Sequence, residues 1–127
     1  MAWNLALVAC AVLVASLGLF HSIAGERYII RRLLRRADLP RLFGGDSFTR
    51  LTLRYAWHLL TIFCLLAAAV LVAIAAEPID ATGRVVAQAT SVGLAVAGLW
   101  GLVATRGRHL SWVALFAAAA LAWFGTT

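Results

Sequence analysis

Tyr55–Ala76, YAWHLLTIFCLLAAAVLVAIAA, contains no charged side chain and a single histidine near its start. An α-helix rises about 1.5 Å per residue, so about 20 apolar residues suffice to cross a hydrocarbon core. This run is long enough, and so are Ala2–Ala24 and Val85–Ala104. A fourth run, Leu110–Phe124, is shorter and ends at Gly125-Thr126-Thr127; it is expected to stand nearly upright or to thin the bilayer locally. Together they make the chain 64% hydrophobic and 13% charged, whereas about a quarter of a soluble domain is charged. Helices of this composition packed in water would have almost no polar residues to cover them. The reading is an all-α integral membrane protein: one domain, residues 1–127, built as a bundle of four transmembrane helices.

Arginines set the expected orientation. The segment from Arg27 to Arg54 carries eight of them, Arg31, Arg32, Arg35, Arg36, Arg41 and Arg50 lying between those two, against only Asp38 and Asp46. The third loop adds Arg106 and Arg108, whereas the second holds Glu77, Asp80 and only Arg84. Short loops rich in arginine stay on the cytoplasmic side. Both termini are therefore expected outside, with loops one and three in the cytoplasm. The first run is expected to be a retained anchor, because its charge follows the apolar stretch instead of preceding it as in a secretory signal. The absence of lysine reads as codon bias in a GC-rich bacterial genome, which puts the chain in a bacterial inner membrane.

The first run passes into Arg27-Tyr28-Ile29-Ile30-Arg31-Arg32-Leu33-Leu34-Arg35-Arg36, where apolar and arginine pairs alternate. Residues 27–37 are expected to form an amphipathic segment at the inner leaflet, with Ile29, Ile30, Leu33 and Leu34 on one side and arginines among anionic lipid headgroups. No nucleic-acid partner is expected, since the basic face emerges directly from a membrane helix. Asp38-Leu39-Pro40 ends the segment, and Asp46 or Ser47 is the expected N-cap of a helix running through Arg50 and Arg54 into the second span. Cys10 and Cys64 read as small buried hydrophobes, not as a disulfide. Two runs carry small-residue seams at helical spacing: Ala11, Ala15, Gly18, Ser22 and Gly25 in the first, and Ala89, Gly93, Ala97 and Gly101 in the third. Such seams let backbones approach closely in lipid, inside the bundle or between copies of a homo-oligomer.

Polar residues within the spans carry the functional information, because hydrocarbon penalises them unless they are paired or solvated. On this topology His21, His58 and His109 all fall at the cytoplasmic end, with Glu26 at the inner boundary of helix one. Arg50, Arg54, His58 and Thr61 recur at steps of four, four and three and so form one stripe on helix two. A Glu26–Arg54 ion pair across the first two helices is expected. Three roles follow from this convergence. The cluster locks the wet end of the bundle, or His21, Ser22, Glu26, Arg54, His58 and His109 form a pocket between helices one, two and four for an amphiphile or lipid headgroup or a partner subunit, without catalysis. In the third, His21 and His58 ligate haem b or a transition metal in a redox protein. A self-assembling structural protein is a further class, resting on the Gly93, Ala97 and Gly101 seam. The partners expected are the lipid bilayer and either further copies in a homo-oligomer or the other subunits of a larger membrane complex. Ser22 beside His21 is no hydrolytic triad, since adjacent helical residues point about 100° apart.

His21-Ser22-Ile23-Ala24-Gly25-Glu26, the Tyr55-Ala56-Trp57-His58 start of the second span and the Arg108-His109 start of the fourth resemble a group of small, uncharacterised bacterial membrane proteins. In that group a His-Ser-x-x-Gly-Glu stretch closes the first helix. The resemblance implies a four-helix fold and a shared role for His21, Glu26, His58 and His109; it assigns no activity.

Overall fold

A computed structural model describes residues 2–127. Among them the chain is helical with no strand. The first helix, α1, runs from Leu5 to Leu33 and is α-helical over Leu5–Gly25, π-helical over Glu26–Ile30 and α-helical again over Arg31–Leu33. It is followed by α2 (Ser47–Ala75), α3 (Ala81–Ala104) and α4 (Ser111–Phe124). The first three are long and apolar enough to cross a membrane, and α4 is shorter.

Local chemistry sets the ends. The Asn4 side chain accepts from the Leu7 amide at 3.2 Å, and the Asp80 carboxylate accepts from the Gly83 amide at 2.6 Å, so α3 begins four residues before the apolar run that marks it in the sequence. Asp46 precedes α2 but makes no side-chain cap; its carboxylate turns to Arg50 instead, at 2.5 Å. Helix α3 stops in a Schellman turn, where Arg106 takes a positive φ of 52° and the Gly107 amide reaches back to the Leu102 carbonyl at 2.8 Å.

Helix α1 is the central element. It packs extensively on α2 and on α4, while α3 packs mainly on α4 and hardly on α2. The interfaces therefore run α2–α1–α4–α3, with one core formed by Leu7, Cys10, Ala11 and Val14 of α1, Ala68 and Leu71 of α2, and Ala118 and Ala122 of α4. Cys10 donates to the Ala118 carbonyl at 3.2 Å, and neither it nor Cys64 forms a disulfide. Polar ties close the end away from the arginines: Asn4 donates to the Gly125 carbonyl at 2.6 Å and Arg84 to the Thr126 carbonyl at 2.9 Å. A cation on the C-terminus of α4 accounts for the one arginine at that end. Large apolar side chains such as Phe20 (70% exposed) and Trp100 (75%) point outward, the pattern expected where the surrounding solvent is hydrocarbon.

The α1 small-residue seam lies in the α1–α2 interface. A Cβ added at Gly18 would come within 2.6 Å of Cys64 Cβ, and one at Gly25 would overlap the Trp57 indole. The α3 seam differs from its expected place inside the bundle. Ala89, Gly93 and Ala97 are exposed, and a Cβ at Gly93 would meet nothing within 4 Å. Packing of α3 uses Ala87, Ser91 and Gly98, Ser91 donating to the Ala119 carbonyl at 2.7 Å. Two parallel small-residue rows run along α3, and hydrogen bonding to α4 selects the one that contains Ser91. A second correction concerns the amphipathic segment. Ile30 and Leu34 are buried, whereas Ile29 and Leu33 stay exposed, so the apolar pairs split between adjacent helical rows. Gly18→Leu is expected to destabilise the fold by about 1–3 kcal/mol through forced separation of α1 and α2, and Gly93→Leu to leave it unchanged. Unfolding in mixed micelles followed by circular dichroism checks both.

Candidate functional site: the polar joint between α1 and α2

At the arginine-rich end, α1 and α2 are joined by a continuous line of side chains. Thr61 Oγ1 lies 2.9 Å from the Gly18 carbonyl oxygen and 2.7 Å from Ser22 Oγ. Ser22 Oγ lies 2.7 Å from His58 Nδ1, and His58 Nε2 lies 3.4 Å from Glu26 Oε2. Glu26 also receives Arg54, Nη2 at 3.1 Å from Oε1 and Nε at 3.3 Å from Oε2, and Arg31 Nε at 3.5 Å. The Glu26–Arg54 pair is thus formed as its spacing predicts. Arg31 is a partner the sequence pattern misses. It lies five residues after Glu26, and the π-helical turn, in which the Arg31 amide bonds the Glu26 carbonyl, brings that spacing onto one face.

Hydrogen-bond accounting fixes much of the proton arrangement. A carboxylate only accepts, so His58 Nε2 carries a proton directed at Glu26. With a neutral ring, Nδ1 accepts from the Ser22 hydroxyl, which in turn accepts from Thr61. With a protonated ring, Nδ1 donates to Ser22, Ser22 donates to Thr61, and Thr61 donates to the Gly18 carbonyl. Only the protonated ring satisfies every contact in the line; with the neutral ring the single Thr61 proton reaches either Ser22 or the Gly18 carbonyl and one of those two bonds lapses. Among the described residues no buried side-chain nitrogen or oxygen lacks a partner.

Ser22, His58 and Glu26 are a serine, a histidine and a carboxylate in series, so nucleophilic chemistry has to be weighed. Three features oppose it. The Ser22 hydroxyl is shared with Thr61. Helix α1 runs unbroken through Ser22, so its backbone amides are committed to the helix and supply no oxyanion hole. Glu26 holds two arginines as well as the imidazole. The geometry is that of a hydrogen-bonded joint between helices.

A cleft of about 570 Å³ opens beside this joint, lined by Ser22, Ile23, Glu26, Arg27, Arg31 and His58. Of the six residues expected to form a pocket, the structure links Ser22, Glu26, Arg54 and His58. His21 points elsewhere: its ring stacks on Trp57 with centroids 4.4 Å apart and planes 12° from parallel, and the Trp57 indole N–H donates to the His21 carbonyl at 3.3 Å. His109 is separate again, exposed at the α3–α4 turn with Nδ1 2.7 Å from Ser111 Oγ. The site therefore lies between α1 and α2 and does not include α4. Ligation of haem or a metal by His58 would have to break at least one of its two hydrogen bonds, to Ser22 or to Glu26. Ile23 and Arg27 line the cleft without having been singled out from sequence; their positions one residue beyond Ser22 and Glu26 were the available signal.

The fold and the joint define a class, a helical bundle with apolar membrane-length helices and a polar junction near one end. Comparison of the chain with protein-family models, curated proteins and solved structures returns no match.

Ser22→Ala leaves His58 Nδ1 and Thr61 without their shared partner and is expected to cost about 1–3 kcal/mol of stability. A Ser22/His58 double-mutant cycle should show coupling of about 0.5 kcal/mol or more; strict additivity would contradict the bond. Ser22 is also expected to resist a fluorophosphonate probe, and stoichiometric labelling would restore the nucleophile reading.

Proposed function

We propose that the chain is a non-enzymatic, multi-pass protein of the bacterial inner membrane, oriented with both termini outside and the arginine-rich loops in the cytoplasm, and that the α1–α2 cleft holds the polar head of a membrane amphiphile. The observation that carries this reading is the cleft itself: a polar floor of Ser22, Glu26 and His58, an arginine rim, and exposed Ile23 on its wall. Such a site offers hydrogen-bond donors and acceptors together at one level of the helices, beside apolar surface on which an acyl chain can lie. The arginine asymmetry of the loops supports the orientation, and inner-leaflet basic pockets suit anionic heads. The resemblance around His21–Glu26 and Trp57-His58 agrees with a shared role for this region, His21 acting through Trp57 to hold the helices in register.

Purification in mild detergent followed by mass spectrometry of retained lipids tests the proposal. Glu26→Ala and His58→Ala are expected to lose the amphiphile that the parent keeps, while His109→Ala keeps it. Equal retention by the parent and both cleft variants would reduce the cluster to a structural lock.

A further inference from the structure

A second pocket of about 350 Å³ lies at the arginine-rich end, lined by Arg31, Leu34, Arg35, Arg50 and Arg54. It shares Arg31 alone with the α1–α2 cleft, and the Glu26–Arg54 ion pair stands between the two. Its four guanidinium groups come from two stretches of the chain. Arg31 lies in the last turn of α1 and Arg35 in the turn just beyond its end, whereas Arg50 and Arg54 are four apart at the start of α2 and share one helical face. Leu34, 7% exposed, supplies the apolar wall.

The charges in this pocket do not balance. Glu26 is shared by Arg31 and Arg54, and Asp46 pairs with Arg50. The Arg50 guanidinium holds the Asp46 carboxyl below its ordinary range, so that carboxylate stays ionised at neutral pH. Arg50 is fixed further by donating to the Arg36 carbonyl at 2.9 Å. Arg35 has no carboxylate partner among the described residues. Four cations thus face two anions, an excess of two positive charges in one concave site.

We propose that this pocket binds a phosphate group carrying two negative charges, a phosphomonoester or a diphosphate. The planar guanidinium fork matches phosphate oxygens bidentately, and the excess charge matches a dianion better than a phosphodiester. Apolar surface at the same end is abundant, including Phe43 at 91% exposed and Leu51 at 69%, which suits a phosphate borne by a lipid as well as one free in solution. The site goes beyond the amphiphile cleft, because it needs neither Ser22 nor His58.

The test is native mass spectrometry on the full chain at pH 8, titrated in parallel with phosphatidic acid, with phosphatidylglycerol of the same acyl chains, and with inorganic pyrophosphate. Phosphatidic acid is expected to bind at least about tenfold more tightly than phosphatidylglycerol. Arg35→Gln should weaken it about tenfold, the loss of one charge-assisted contact, and Arg35→Lys should recover part of that loss. Arg32→Gln removes the same charge from an exposed position outside the pocket and should change nothing. His109→Ala, outside both sites, should also leave phosphate binding intact, and Arg35→Gln should keep the amphiphile of the α1–α2 cleft, which separates failure here from failure of the cleft. Competition by pyrophosphate identifies a free phosphate compound as sufficient ligand; absence of competition assigns the site to a lipid. Equal affinity for the two lipids with no pyrophosphate binding, an Arg32→Gln loss as large as that of Arg35→Gln, or no saturable binding of any probe overturns the proposal.

Discussion

Two long apolar helices in hydrocarbon have no hydrophobic reason to prefer each other over lipid, so polar contacts and close backbone approach decide where they meet. On the proposed membrane location, the decision in this chain is made by the line Thr61–Ser22–His58–Glu26. Each member bonds across the α1–α2 interface, and Gly18 and Gly25 give the backbones room to come that near. Leaving such groups unpaired in an apolar medium would be expensive, which makes the register of α1 on α2 highly specified. That register places the Arg54 and Arg31 contacts to Glu26, the cleft beside them, and the meeting of two arginine pairs beyond.

The central position of α1 follows from its two different faces. One carries the glycine and polar residues that meet α2, and the other carries Cys10 against α4. Helix α3 reaches the bundle through α4, held by the Ser91 hydroxyl on a carbonyl of that helix. Where α1 leaves the apolar zone, the π-helical turn adds one residue to the repeat and turns Arg31 toward Glu26. A regular α-helix would offer residues 29 and 30 at that position, and neither carries charge.

Most of the architecture was legible in the sequence because membrane-length apolar runs have few alternative readings. Val85–Ala104 lies within α3 and Tyr55–Ala76 within α2 but for its last residue, and Leu110–Phe124 nearly coincides with α4. Their true starts were less visible at α3, where the Asp80 cap draws four polar or small residues into the helix. The Glu26–Arg54 pair and the approach of His58 to helix one could be read from spacing, since steps of three and four fix a helical face. His109 could not be placed that way, and the step of four from His21 to Gly25 set His21 beside the seam without naming Trp57 as its partner. Depth along a helix says nothing about azimuth: His21 sits one residue before Ser22, and that 100° turn takes it to Trp57 instead of Glu26. The α3 seam was misplaced inside the bundle for a related reason, as an alanine-rich helix presents several small-residue rows and only the bonding of Ser91 distinguishes the one that packs on α4.

The most direct test of this account is the state of the His58 ring in a lipid bilayer, read by nitrogen-15 solid-state NMR on histidine-labelled protein with His21 and His109 replaced to remove overlap. The account predicts a protonated Nε2 whose shift responds to Glu26→Gln and an Nδ1 whose shift responds to Ser22→Ala. An Nε2 without a proton, or a ring indifferent to both substitutions, would contradict the joint on which the helix register and the cleft depend.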